Sequence, residues 1–252
     1  MKIIDTHTHL PGWTFESKPR PISDLRREFE TEGLVGAWLF TTDGLIRDTA
    51  KNNDILVEAV EGHRDFFVPF GTVNPHDGTE SALRELERTK FQLGFKGIKF
   101  HPWLQAFSMT HPAILPILSR AGELSMPVVF HDGTPPYSSP LQIAAVAEKV
   151  PHTTIILGHA GLDDLYRDAI LACKRQPNIH LCLCGPSSGY LREILHNCPV
   201  DRLLFGSDGG FGADLIAWRI ATVRETGADP ETLQKIFYEN PLTLISKAGV
   251  TQ

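Results

Sequence analysis

The sequence predicts an α/β protein folded as a single (β/α)8 barrel, and three observations carry that expectation. Eight short apolar runs rich in β-branched residues recur along the chain, and the segments between them repeat apolar residues at three- and four-residue spacing. The turn after the first run reads Asp5-Thr6-His7-Thr8-His9, where an open nucleotide-binding sheet would place a glycine-rich turn. At 252 residues the chain has the length at which such barrels close as one domain, expected here over 1–252.

The elements follow in order. Strand-like runs at Lys2–Asp5, Val35–Phe40, Phe67–Val73 and Phe95–Phe100 precede helical patterns over Ile22–Glu32, Asn53–His63, Glu80–Lys90 and Ala113–Leu124. The runs Pro127–Phe130, Thr154–Leu157, Ile179–Cys184 and Leu203–Phe205 precede Leu141–Lys149, Asp163–Lys174, the short Tyr190–Asn197 and Asp214–Thr226. The runs lie about 29 residues apart, the length of a strand, a helix and two loops, and their near-continuous apolar character implies a parallel sheet covered on both faces. A last helix is expected over Pro230–Lys247, capped by Asp229, with Pro230 in its first turn and Gly249 beyond its end. Loops leaving the strands, such as Leu10–Pro21, His101–His111 and Asp132–Pro140, are long and rich in Pro, Gly and aromatics, which marks the functional face of a barrel.

Composition narrows the partners. Twenty-four Lys and Arg against 30 Asp and Glu give a net charge of −6, without a one-sign run, which disfavours nucleic acid and anionic membranes. No apolar stretch approaches the roughly 20 residues of a membrane span, and Met1-Lys2 leads directly into Ile3-Ile4-Asp5 without a signal-peptide pattern, so a cytoplasmic location is expected. The four cysteines form no CxxC pair and are expected to be reduced and buried, with Cys182 and Cys184 on one face of a strand.

Eleven histidines are present, and five of them fall at strand ends: His7, His9, His101, His131 and His159. Asp208 follows Phe205-Gly206-Ser207 at the end of the eighth run. Side chains two apart on a strand face the same way, so His7 and His9 can present two imidazoles to one point. His131 and Asp208 would complete a three-nitrogen, one-carboxylate shell for one divalent transition metal, zinc first, with manganese, iron and nickel also compatible. His63, His76, His111, His152, His180 and His196 lie elsewhere and are read as structural. Gly185-Pro186-Ser187-Ser188-Gly189 matches a nucleophile elbow in letters, but the last histidine, His196, precedes Asp208, which is the wrong order for that mechanism.

The motifs Asp5-Thr6-His7-Thr8-His9, Gly97-Ile98-Lys99-Phe100-His101-Pro102, Leu157-Gly158-His159-Ala160-Gly161 and Leu204-Phe205-Gly206-Ser207-Asp208 together resemble the amidohydrolase superfamily. The resemblance extends to Ile236–Pro241, and its nearest branch is the amidohydrolase-related group that includes aminocarboxymuconate-semialdehyde decarboxylase. It implies that His7, His9, His131 and Asp208 bind a catalytic metal beside His159, with His159 and Asp208 as the catalytic acid/base pair. A metal lowers the pKa of its water to roughly 7, so the expected activity is hydrolysis of an amide, ester or lactone in a small carboxylated or cyclic compound. The alternative is metal-dependent, non-oxidative decarboxylation of a small unsaturated or aromatic acid.

Lys99 and His101 share a strand face and are expected to hold a substrate carboxylate; a carboxylated Lys99 bridging a second ion is the competing reading. Trp103 and Tyr137, with Trp13, Phe15 and Phe107, are expected to wall the substrate site. Gly209, Gly210 and Gly212 would permit close backbone approach around Asp208 or cradle a phosphate. The expected partner is a small-molecule substrate, with no nucleic acid and no membrane, and with homo-oligomerisation left open.

Overall fold

A computed structural model of the chain describes residues 1–11, 20–210 and 213–247; Trp13, Phe15, Gly212 and Gly249 lie outside the described residues. The strands are β1 (Ile3–His9), β2 (Leu34–Phe40), β3 (Phe67–Gly71), β4 (Gly97–Phe100), β5 (Val128–Phe130), β6 (Ile155–Leu157), β7 (Ile179–Cys182) and β8 (Leu203–Leu204). Each pairs in parallel with the next, in the order of the chain. The barrel closes where Thr8 bridges Gly209, Thr6 N donates to Phe205 O at 3.0 Å and Asp208 N donates to His7 O at 2.9 Å. The architecture is the (β/α)8 barrel that the spacing predicts.

Helices α1 (Ile22–Thr31), α2 (Thr49–Ala59), α3 (Thr79–Phe91), α4 (Ile114–Glu123), α5 (Pro140–Ala147), α6 (Leu162–Arg175), α7 (Ser188–Asn197) and α8 (Ala213–Arg224) follow strands β1 to β8 in turn. Local chemistry starts α5: the Ser139 hydroxyl accepts from Gln142 N, the Gln142 side chain accepts from Ser139 N, and Pro140 occupies the first turn. Helix α2 begins four residues before the expected Asn53 because its inward face is polar. Asn53 is fully buried and exchanges two hydrogen bonds with the backbone of Thr72, at 2.9 and 3.1 Å. The expected final helix is divided into α9 (Pro230–Gln234), a π-helical turn at Lys235–Glu239 and α10 (Asn240–Lys247). At the break, Asn240 is buried and donates to Val200 O and Leu203 O, tying the helix to the base of β8.

Two apolar layers result. Ile3, Phe67, Ile98, Phe100, Val128, Phe130, Ile155, Leu157, Leu181 and Phe205 pack between sheet and helices. Ile4, Trp38, Phe40, Phe70, Val129, Ile156, Cys182 and Leu204 fill the barrel interior, with Trp38 stacked on Phe70 at 4.6 Å. Fully burying an aromatic or branched side chain contributes about 1.5–3 kcal/mol, so both layers are substantial. In β1 the register slips: Asp5 pairs with Ala37 but Thr8 with Leu39, three residues against two. Such a bulge reverses which side chains face inward, so that Ile4 fills the interior below and His7 and His9 point into its mouth above. The first strand is therefore longer than the apolar run alone, extending through the histidine pair.

His180 shares the face of Cys182, nearer the base of the barrel, and its buried Nδ1 has no hydrogen-bond partner among the described residues. Burial, with the Arg202 charge adding to it, pushes its pKa down from 6.5 to about 4. The unfolded chain takes up this proton near pH 6.5 and the folded chain only near pH 4, so the unfolded state binds more protons between those values. Stability should fall as pH drops through that window, by up to about 3 kcal/mol from this residue. Urea denaturation of the parent and His180→Gln proteins at pH 7 and pH 4.5 measures it; the variant should show the smaller decline.

Candidate active site

The C-terminal ends of β1, β4, β5, β6 and β8 deliver the predicted residues to one mouth of the barrel. His7 Nδ1 donates to Gly158 O at 2.9 Å, which turns Nε2 inward; His9 Nδ1 is 3.2 Å from the Thr42 hydroxyl. The two Nε2 atoms lie 3.4 and 3.0 Å from Asp208 Oδ1. These three donors fall within 4.8 Å of one another. Only glycine permits the tether at 158, because a Cβ there would stand 2.6 Å from Phe130 O and 2.9 Å from His7 Cε1. Asp208 itself adopts φ 62°, a left-handed conformation of the kind found where the surrounding structure over-determines a functional side chain.

His131 enters the same mouth through its ring rather than through the compact donor group. It stacks on His101 at 3.7 Å and meets the edge of His159 at 4.3 Å, while His159 lies 4.6 Å from His7. Lys99 is 1% exposed; its Nζ donates to His7 Nε2 at 2.9 Å and lies over the Phe40 ring at 5.2 Å. Lys99 thus reaches the donor group itself, while His101 turns to His131 and accepts a weak bond from Leu104 N at 3.4 Å. Trp103 stands at the rim, 55% exposed with its ring 6.2 Å from His101. Phe107 is buried against Phe100 and belongs to the core. Tyr137 lies half-buried in the loop after β5 and, among the described residues, is not one of the rings stacked in the histidine cluster. Gly210, at φ 107°, lies so close to the His9 backbone that no side chain fits, in keeping with close approach around Asp208.

Burial governs the electrostatics. It drives the imidazoles of His7, His101 and His131 well below their ordinary range, and neighbouring charges from Lys99 and His159 add to it. His159 is brought to about 4 by the same desolvation, which outweighs the opposing Asp208 charge. These rings are neutral at pH 7, the state a metal ligand or base requires. Burial alone would raise the Asp208 carboxyl, but the His9 hydrogen bond and the His159 and His7 charges hold it well below the usual carboxylate range. Burial lowers Lys99 to about 8, so it is still an ammonium at neutral pH.

A divalent ion fits this donor set. Two imidazole nitrogens and a carboxylate oxygen converge, each imidazole is held through its other nitrogen, and the group already gathers the positive charge of Lys99. The Thr42 hydroxyl can donate or accept, so it satisfies His9 Nδ1 in either tautomer. A second trio, His7, Cys182 and Cys184, lies on the Nδ1 side of His7, where Gly158 O already takes the ring proton.

Two partners of the cluster went unread in the sequence. Asp132, fully buried, accepts from His159 N and Gly161 N, both at 2.6 Å. Its signal was available: an acidic residue directly after His131, at a strand's C-terminal end. Cys184, expected only as a buried thiol, is reduced and buried, and its Sγ also lies 3.2 Å from His159 Nδ1.

Known proteins resemble this chain in sequence and in fold. A curated relative, 2-amino-3-carboxymuconate-6-semialdehyde decarboxylase of Dictyostelium discoideum, is 26% identical over 153 residues, 58% of this chain; the match spans about two-fifths (42%) of that relative's length. An uncharacterised TIM-barrel protein of Bordetella bronchiseptica superposes with TM-score 0.80 at 16% identity, covering 99% of this chain and 100% of the other. A 2,6-dihydroxybenzoate decarboxylase from Rhizobium gives TM-score 0.73 at 18% identity, over 97% and 98% of the two chains. A manganese-bound dihydroxybenzoic acid decarboxylase from a Polaromonas species gives 0.75 at 19%, over 97% and 96%. The amidohydrolase family model (Amidohydro_2) matches residues 4–246, nearly the whole chain, and this protein therefore belongs to the amidohydrolase family.

Proposed function

We propose that this protein is a metal-dependent, non-oxidative decarboxylase of a small aromatic or unsaturated acid. The observation that carries the reading is the agreement among relatives: the curated relative and the solved Rhizobium and Polaromonas neighbours are all named as decarboxylases. Hydrolysis, the first expectation from the motifs, has no counterpart in those names. The proposed partner is a small-molecule acid; among the described residues no helix is long and apolar enough to cross a membrane.

His7, His9 and Asp208 would hold the ion, with His131 adjacent to complete the set. Bound there, the ion would act as a Lewis acid toward the substrate's oxygens. Zinc and manganese both suit this donor set, and the manganese in the Polaromonas neighbour adds weight to the second. Lys99 and His101 supply a buried positive charge and an imidazole edge toward an acidic substrate, and Trp103 offers an exposed aromatic face at the rim.

His159 handles the proton. Its Nε2 is buried, has no protein partner among the described residues, and belongs to a ring set between His7 and His131. In decarboxylation the bond from carbon to the carboxyl group breaks, CO2 leaves, and the electron pair remains on carbon. Nε2 accepts a proton from the substrate's acid or hydroxyl group and returns it to that carbon, so RCOOH gives RH and CO2 with nothing else consumed.

Three outcomes are expected. Purified protein should carry about one transition metal per chain by elemental analysis, and the His7→Ala/His9→Ala protein almost none; full metal content in that variant would remove the basis of the proposal. Metal-loaded protein should release CO2 from hydroxybenzoates or carboxymuconate-like acids without cleaving esters or lactones. His159→Gln should lower kcat by about 10²–10⁴-fold while metal content is unchanged.

A further inference from the structure

We infer that Cys184 is a positioning residue that fixes the tautomer of His159, keeping the ring hydrogen on Nδ1 and the lone pair on Nε2. A proton count leads there. Gly158 O is a carbonyl and can only accept; it takes the hydrogen of His7 Nδ1 at 2.9 Å on one lone pair. Cys184 Sγ lies 2.9 Å from the same oxygen, a distance at which sulfur and oxygen lone pairs would repel unless the thiol hydrogen lies between them. That contact uses the one hydrogen the thiol has. At 3.2 Å from His159 Nδ1, the sulfur can then only accept, so Nδ1 carries the ring hydrogen and Nε2 is left as a bare acceptor. Nε2 is the atom that is buried without a partner among the described residues.

The backbone keeps the ring against the sulfur. Ala160, Gly161 and Leu162 all have positive φ, at 46°, 84° and 56°, a run of left-handed residues costly for the two that bear side chains. The Asp132 carboxylate offsets this by accepting from both His159 N and Gly161 N. Gly158, His159 and Gly161 are thereby tied to β1, β5 and the end of β7, and among the described residues the contact of the His159 Nδ1 atom is with Cys184 Sγ. The catalytic meaning rests on the decarboxylase reading: His159 starts each cycle ready to accept a proton. The tautomer assignment itself does not depend on which reaction is run.

The test is long-range 1H–15N correlation on zinc-loaded, 15N-histidine-labelled protein, with the His159 signals identified by their loss in His159→Gln. The expected pattern is a protonated Nδ1 and an unprotonated Nε2, retained in Cys184→Ser and shifted toward Nε2–H in Cys184→Ala. A merely structural thiol would not move this signature. A protonated Nε2 in the parent protein, or an unchanged pattern in Cys184→Ala, overturns the inference; should the alanine variant fail to fold, the parent and serine patterns still decide it. The expected tautomer together with no CO2 release would sustain the role of Cys184 and reject the proposed reaction.

Discussion

The buried carboxylate of Asp5 holds the two ends of the barrel together, and the site depends on it. Its Oδ1 accepts from His7 N and from Ser207 N, both at 3.0 Å, joining residues 202 positions apart in the chain. The neighbouring threonines do the same work: Thr6 Oγ1 donates to Phe205 O at 2.8 Å and Thr8 Oγ1 to Trp38 O at 2.6 Å. Each such bond contributes about 1 kcal/mol net, and leaving one partner buried alone costs more, so the motif locks β1 between β2 and β8. With β1 fixed to β8, His7, His9 and Asp208 face one another. Desolvation raises Asp5 itself to about 7, the cost of placing a carboxyl at this junction.

Burial then sets the chemistry. In water the imidazoles of His7, His101, His131 and His159 would titrate near neutrality; buried beside Phe40, Cys184 and one another they stay neutral, while Asp208 stays ionised among them. Environments that push titratable groups in opposite directions are how one site can hold a cation, anchor an acid and accept a proton. Lys99, lowered by burial yet still an ammonium at neutral pH and paired to His7, places a positive charge at the centre of that arrangement.

Much of this was legible because the barrel's periodicities are simple. Runs about 29 residues apart gave eight strands in order, and histidines at strand ends marked the mouth. Features that depend on register were not legible. The bulge between Asp5 and Thr8 reverses the inward face of β1, yet the two-residue spacing of His7 and His9 reads the same with or without it. Asn53 and Asn240 hid an early helix start and a helix break, because their polar side chains serve backbone groups distant in sequence. Phe107, read as a substrate wall, is core because its ring meets Phe100 across the loop.

Residue types and their spacing determined by themselves that this is a (β/α)8 barrel with a histidine- and aspartate-lined mouth, since local hydrophobic period and strand-end position are properties of the linear chain. Tertiary structure alone decided which atoms meet. It set Gly158 O against His7 Nδ1, Thr42 against His9, Asp132 beneath His159 and Cys184 beside it, contacts spanning from 25 to 151 residues. Hydrogen-bond direction and desolvation are set by neighbours in space, so the protonation states on which the chemistry depends appear only when the barrel is closed.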